Sequence, residues 1–183
     1  MTRDRLEAYL EFVRPRHGER DAAHDFRHIE RIVARLEVLS EGVEPAPRRE
    51  RLYFLACFHG LAGRMKSDEA LRGETEAFLG GLGWSKEEIR EGFDALDRHL
   101  KDPQTVEEEI VHDANFVELL GAFGIAKAFT VGGARGQSYE ETADIFEHRY
   151  LEAVEFRTPA GRRLAEEGRE YAREFLRRLR CEL

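Results

Sequence analysis

Leu52-Tyr53-Phe54-Leu55-Ala56-Cys57-Phe58-His59-Gly60-Leu61 is apolar nearly all the way round a helical wheel. A helix with no polar face has to lie inside the fold, so this segment reads as a buried central helix that the rest of the chain wraps. His59 closes the run and precedes Gly60, which places an imidazole in the interior. A buried imidazole needs a partner for its polar atoms.

The segments on either side carry helical periodicity. Leu6, Tyr9, Leu10 and Val13 form a stripe that ends near Pro15 and Gly18. Asp21 is placed to cap the next helix, whose stripe runs through Ile29, Ile32, Val33, Leu36 and Leu39 until Gly42. Ser85-Lys86-Glu87-Glu88 is a capping box that opens a helix through Ile89, Phe93 and Leu96 toward His99. A further helix is expected from Thr105 to Leu120. A short apolar piece follows at Ile125–Phe129, and then a Gly-rich loop, Gly132-Gly133-Ala134-Arg135-Gly136. Two long helices, about 138–157 and 158–180, complete an all-α bundle in one domain over residues 1–183. No alternating strand pattern of useful length is present.

Bulk properties narrow the function. Hydrophobic residues at 42% over 183 positions supply a core. The formal net charge of −8 argues against a nucleic-acid surface, while leaving room for a local basic pocket. No apolar run reaches the length of a membrane span, and the first residues lack a signal-peptide pattern. A cytoplasmic protein without a membrane partner is the expectation. The two cysteines, Cys57 and Cys181, are expected to stay unpaired.

Three stretches carry chemistry: Ala23-His24-Asp25-Phe26-Arg27-His28-Ile29-Glu30-Arg31-Ile32, then Ala56-Cys57-Phe58-His59-Gly60, then His112-Asp113-Ala114-Asn115. His24 and His28 share a helix face, with Asp25 between them. Taken together, the stretches resemble the HD-domain superfamily of metal-dependent phosphohydrolases. The first is similar to its H-D-x-x-H-x-x-R-V, with His28 at the metal-ligand position. The second is similar to its apolar run ending in L-H-D. Residues 113–129, Asp113-Ala114-Asn115-Phe116-Val117-Glu118 through Gly121-Ala122-Phe123-Gly124-Ile125-Ala126-Lys127-Ala128-Phe129, resemble D-A-D-x-L-D-x-x-G-A-x-G-I-A-R-x-F. Phe146, Arg149, Tyr150-Leu151, Thr158 and Gly161-Arg162-Arg163 resemble a subgroup of stand-alone HD proteins.

The resemblance implies an HD-type helical bundle. It also implies metal ligands at His28, His59 and Asn115, with Asp113 as the one nearby carboxylate able to join them. Catalytic roles would fall to Asp113 and to His99, which stands beside Arg98 and Lys101. The departures bear on activity. Gly60 stands where the family has a ligating Asp, and Asn115 where it has a second one. Losing two anions weakens a divalent site and its ability to activate water. A divalent ion (Mn, Fe, Ni or Mg) is therefore expected to bind weakly or not at all. Gly60 is also expected to serve backbone freedom. Lys127, Arg135 and Arg149, with the Gly132-Gly133 amides, can line an anion site.

Three readings stay open. One is a phosphohydrolase with an eroded site, acting on a small phosphate ester or nucleotide. The second is a non-catalytic relative that binds a small ligand or a protein. The third, ranked last, is a two-iron oxidative enzyme, for which the interval after His59 supplies only His99 and His112.

Overall fold

The structure is a computed structural model that describes residues 2–17 and 26–183, with side chains from residue 4 onward. Asp21, His24 and Asp25 lie outside the described residues. Among the described residues there is no strand, so the all-α expectation holds.

The apolar segment 52–61 forms the end of α3 (Arg49–Phe58) and a 3-10 turn at His59–Leu61. Leu52, residues 54–59 and Leu61 are buried, which explains the absence of a polar face. α3 packs against α1 (Thr2–His17), α2 (Phe26–Leu39), α6 (Lys86–Arg98) and α7 (Val106–Val117). Tyr9 of α1 meets Phe58 edge-on with ring centroids 5.8 Å apart, and it is fully buried. Fully burying one such ring contributes roughly 2–3 kcal/mol. α4 (Ala62–Met65) and α5 (Glu69–Gly81) close this half of the molecule. α6 starts with the expected capping box of Ser85 and Glu88.

The second half is α8 (Gly121–Ala134), α9 (Tyr139–Phe146), a π turn (Glu147–Glu152) and α10 (Pro159–Glu182). Its own apolar cluster includes Leu120, Ile125, Phe146, Leu151 and Phe156. α7 and α8 meet at 70°. Gly121 makes this corner with a φ of +72°, in the left-handed region that a side chain disfavours.

Two expectations are corrected here. Gly132, Gly133 and Ala134 are the last turn of α8, not a loop. Their N–H groups belong to the helix and form no anion nest. The long helix expected over 138–157 stops at Phe146, widens into the π turn, and breaks before Thr158 caps α10. At this break Asp113, from α7, accepts from the backbone N–H groups of Arg157 and Thr158. No single described helix is long and apolar enough to cross a membrane.

Candidate functional site

His28 leaves the N-terminal turn of α2, and His59 begins the 3-10 turn after α3. Their Nε2 atoms approach to 3.0 Å. The other side of the His28 ring is fixed, because Nδ1 lies 2.9 Å from Glu118 Oε1. Glu118, just past the end of α7, is fully buried as a side chain. It also accepts from Arg31 Nε at 3.0 Å and Nη2 at 3.2 Å, with Arg35 and Lys127 each 3.6 Å away. Burial pushes its pKa up, but hydrogen bonds from His28 and Arg31 overcome this and hold the carboxyl at about 2.

This carboxylate sets the tautomers. His28 donates from Nδ1, so in the neutral ring Nε2 carries a lone pair. His59 must then donate from its own Nε2. His59 Nδ1 is left buried and without a hydrogen-bond partner among the described residues. Burial, then the neighbouring His99, His28, His17 and Lys127, hold the His59 pKa well below the ordinary imidazole value. Glu118 was not singled out in the sequence. The available signal was its alignment with the last acid of D-A-D-x-L-D.

A cavity of about 440 Å³ opens in front of this pair, at the seam between the two apolar clusters. His17, His28, His59, Gly60 and Asn115 line one side. Lys127, Arg135 and Gln137 line another, and the π turn adds Arg149 and Tyr150. No described residue lining it is acidic. Among the described residues, Arg135 and Arg149 form no ion pair, so their charge remains available to a ligand.

The structure brings His28, His59 and Asn115 to one cavity, and it sends Asp113 and His99 elsewhere. Asp113 is fully buried, and neither of its oxygens faces the cavity. Oδ2 accepts from Thr158 N at 2.7 Å and Thr158 Oγ1 at 2.9 Å, and Arg157 N reaches both oxygens at 3.1 Å. His112 Nδ1 lies 2.9 Å from Oδ1. The carboxylate expected to bend toward the histidines is thus turned to the start of α10. His99 is not a phosphate-facing cation. It is 1% exposed behind His59, with ring centroids 5.9 Å apart, and its Nδ1 donates to Leu96 O at 2.8 Å. Burial, opposed only in part by that bond, holds its pKa at about 4, so the ring is neutral. The neighbouring Arg98 is paired with buried Glu108.

Gly60 has a spatial reason rather than a conformational one. Its φ is not in the left-handed region. A Cβ built there would lie 2.5 Å from His17 Cε1 and 3.2 Å from His17 Nε2. His17, the last residue of α1, is 4% exposed, and its ring fills the space a side chain at position 60 would need. No local sequence pattern pointed to His17.

Among the described residues, the donors around the cavity do not fit a divalent ion of the kind the HD superfamily uses. Among the described residues, no three His, Cys, Asp or Glu side chains are placed to share one. The imidazoles of His17, His28 and His59 and the amide of Asn115 carry no anion, the described carboxylate nearest to them, Glu118, is held by Arg31, and the described wall carries Lys127, Arg135 and Arg149. Dications need anionic oxygen or sulfur to offset their charge.

No family model matches the sequence. An uncharacterized protein, YpgQ of Bacillus subtilis strain 168, is 30% identical over 95 residues, 49% of this chain. That match spans 46% of the relative, about half its length. A crystal structure of an HD-superfamily hydrolase from Bacillus thuringiensis is similar over 100% of this chain and 98% of that one, with a TM-score of 0.80 and 24% identity. The structure of B. subtilis YpgQ in complex with ADP covers 97% of both chains, with a TM-score of 0.76 and 24% identity. The chain is therefore folded as an HD-superfamily hydrolase is.

Proposed function

We propose that this protein is an HD relative whose cavity binds a small phosphorylated molecule without the divalent ion of the superfamily. The observation that carries the reading is the charge of the cavity wall: Lys127, Arg135 and Arg149 face it, and no described acidic side chain does. Guanidinium groups recognise phosphate oxygens by paired, charge-assisted hydrogen bonds, and an ammonium adds a point charge. The cavity volume of about 440 Å³ is in the range of small-molecule sites. Support also comes from YpgQ, a relative seen with ADP. A protein of net charge −8 repels free phosphates overall, so a cationic cavity must hold its ligand by local field.

The test is calorimetric titration of ADP and of inorganic pyrophosphate in the presence of a chelator. Binding that weakens with added salt is expected. Arg135→Ala and Arg149→Ala together should weaken it by about tenfold or more, by the strength of charge-assisted bonds to phosphate. Binding that appears only after Mn²⁺ is added would overturn the reading.

Hydrolysis of a phosphate ester or nucleotide by a metal-loaded site is the second reading. It is favoured by the convergence of the His28 and His59 imidazoles, from two different elements, on one cavity. Elemental analysis of protein purified without chelator, beside a phosphatase assay, separates the two. Stoichiometric metal with turnover would favour the second.

A further inference from the structure

We propose that His17 and Gly60 form a size-coupled pair that decides which charge the cavity accepts. The volume beside His59 is shared by the C-terminus of α1 and the 3-10 turn after α3, which pack together. It holds one side chain, not two. A Cβ on residue 60 would come within 2.5 Å of the His17 ring, closer than carbon atoms approach without displacement. The ring that would have to shift is packed. It is 4% exposed, sits edge-on to Phe26 with centroids 6.0 Å apart, and lies at the end of a helix anchored by Tyr9 and Val13 in the core. So long as the His17 ring keeps this position, any side chain at residue 60 has to displace it.

The chemical consequence follows from what the occupant is. A carboxylate at position 60 would put an anion next to His59 and favour a cation there. An imidazole in the same volume brings no negative charge. It leaves the His28–His59 pair facing Lys127, and the wall neutral or positive throughout its described lining. A change from one charge preference to the other therefore needs both positions to change together. The volume claim stands on the geometry alone. The charge claim rests on the anion-binding reading above.

The experiment is a stability and binding cycle on the full chain. Gly60→Ala adds only the Cβ. It should lower the melting temperature when His17 is present and leave it unchanged or raised in a His17→Ala background. Glycine-to-alanine changes without a clash are neutral or stabilising at such φ, and sites in contact are non-additive. Equal effects of Gly60→Ala in both backgrounds would overturn the volume claim. Mn²⁺ and inorganic pyrophosphate are then titrated separately into wild type, Gly60→Asp and His17→Ala/Gly60→Asp. The double variant should bind Mn²⁺ at least about tenfold more tightly than Gly60→Asp alone and lose pyrophosphate affinity, because a fixed carboxylate adds a charged ligand and repels the anion. Gly60→Asp matching the double variant in Mn²⁺ affinity, at unchanged melting temperature, would sink the proposal. If the alanine cycle is non-additive but wild type binds no pyrophosphate, the volume claim stands and the anion reading fails. Should the aspartate variants not fold, the alanine cycle decides.

Discussion

Glu118 is where one carboxylate's contacts govern the rest of the site. It orients His28, pairs with Arg31, and draws Arg35 and Lys127 to within 3.6 Å. Glu118→Gln removes the charge and leaves those cations facing a neutral amide. The expected loss of stability is roughly 2–3 kcal/mol, below the usual cost of breaking a buried pair because Arg31 and Arg35 still reach water. Urea unfolding measures it, and an unchanged midpoint would mean that the cluster is not energetically coupled. Glu118→Asp keeps the charge but shortens the reach to His28. It should cost less stability than Gln while still altering the imidazole tautomer, as read by the ring ¹⁵N shifts of His28. The sequence alone leads one to expect that changing Gly60 and Asn115 to aspartate raises metal affinity; the His17 ring beside Gly60 stands against that while it keeps its place. A side chain at 60 has to push the His17 ring aside.

At the scale of elements, the placement of α10 depends on Asp113 of α7. The carboxylate takes the N–H groups of Arg157 and Thr158 and the Thr158 hydroxyl, while that same hydroxyl caps α10 by accepting from Gly161 N at 2.9 Å. Asp113→Asn would keep one acceptor oxygen and place an NH₂ among donors. A loss of about 2–4 kcal/mol is expected, from the cost of unsatisfied buried donors to a charged acceptor. Gly161 has no room for a methyl group, since a Cβ there would overlap Asp113 Oδ2. Gly161→Ala should therefore be about as damaging as Asp113→Asn. The two together should cost less than their sum, because both break one contact. Thermal melts of the three variants check this, and simple additivity would show that the helix start is held by something else. The π turn has its own consequence at this scale. Widened turns recur at functional sites, and this one carries Arg149 and Tyr150 to the cavity wall.

For the whole molecule, buried titratable groups set the response to acid. The His99 pKa is held at about 4, and that of His59 is held down in the same direction, against an ordinary 6.5. The unfolded chain takes up those protons first, so stability present above pH 6.5 is lost as pH falls through the folded values. Glu118, at about 2 against an ordinary 4.5, adds a second loss on the way from 4.5 downward. The expected profile is a decline in unfolding free energy that begins well above the carboxylate range. His99→Gln, which keeps a donor for Leu96 O, should flatten the part between about pH 7 and about pH 5. Denaturant titrations at the two pH values measure the slope. If the variant and the wild type fall equally, His99 is not the source.

The sequence by itself determined the all-α architecture, the buried course of residues 52–61, the capping box at Ser85 and the meeting of His28, His59 and Asn115. The first three are written in local signals, namely 3.6-residue periodicity and caps, and the last follows from the resemblance to HD-domain motifs. It also named Lys127, Arg135 and Arg149 as a basic set. What it could not decide was which way a side chain turns once helices pack. Asp113 sits beside the motif in the chain, yet its carboxylate is spent on α10, 44 residues later. Glu118, just past α7, and His17, of α1, reach His28 and His59, and only the packing of those helices puts them there. The meaning of Gly60 was likewise tertiary: a missing side chain looks like lost chemistry in one dimension, and in three it is space filled by the ring of another residue.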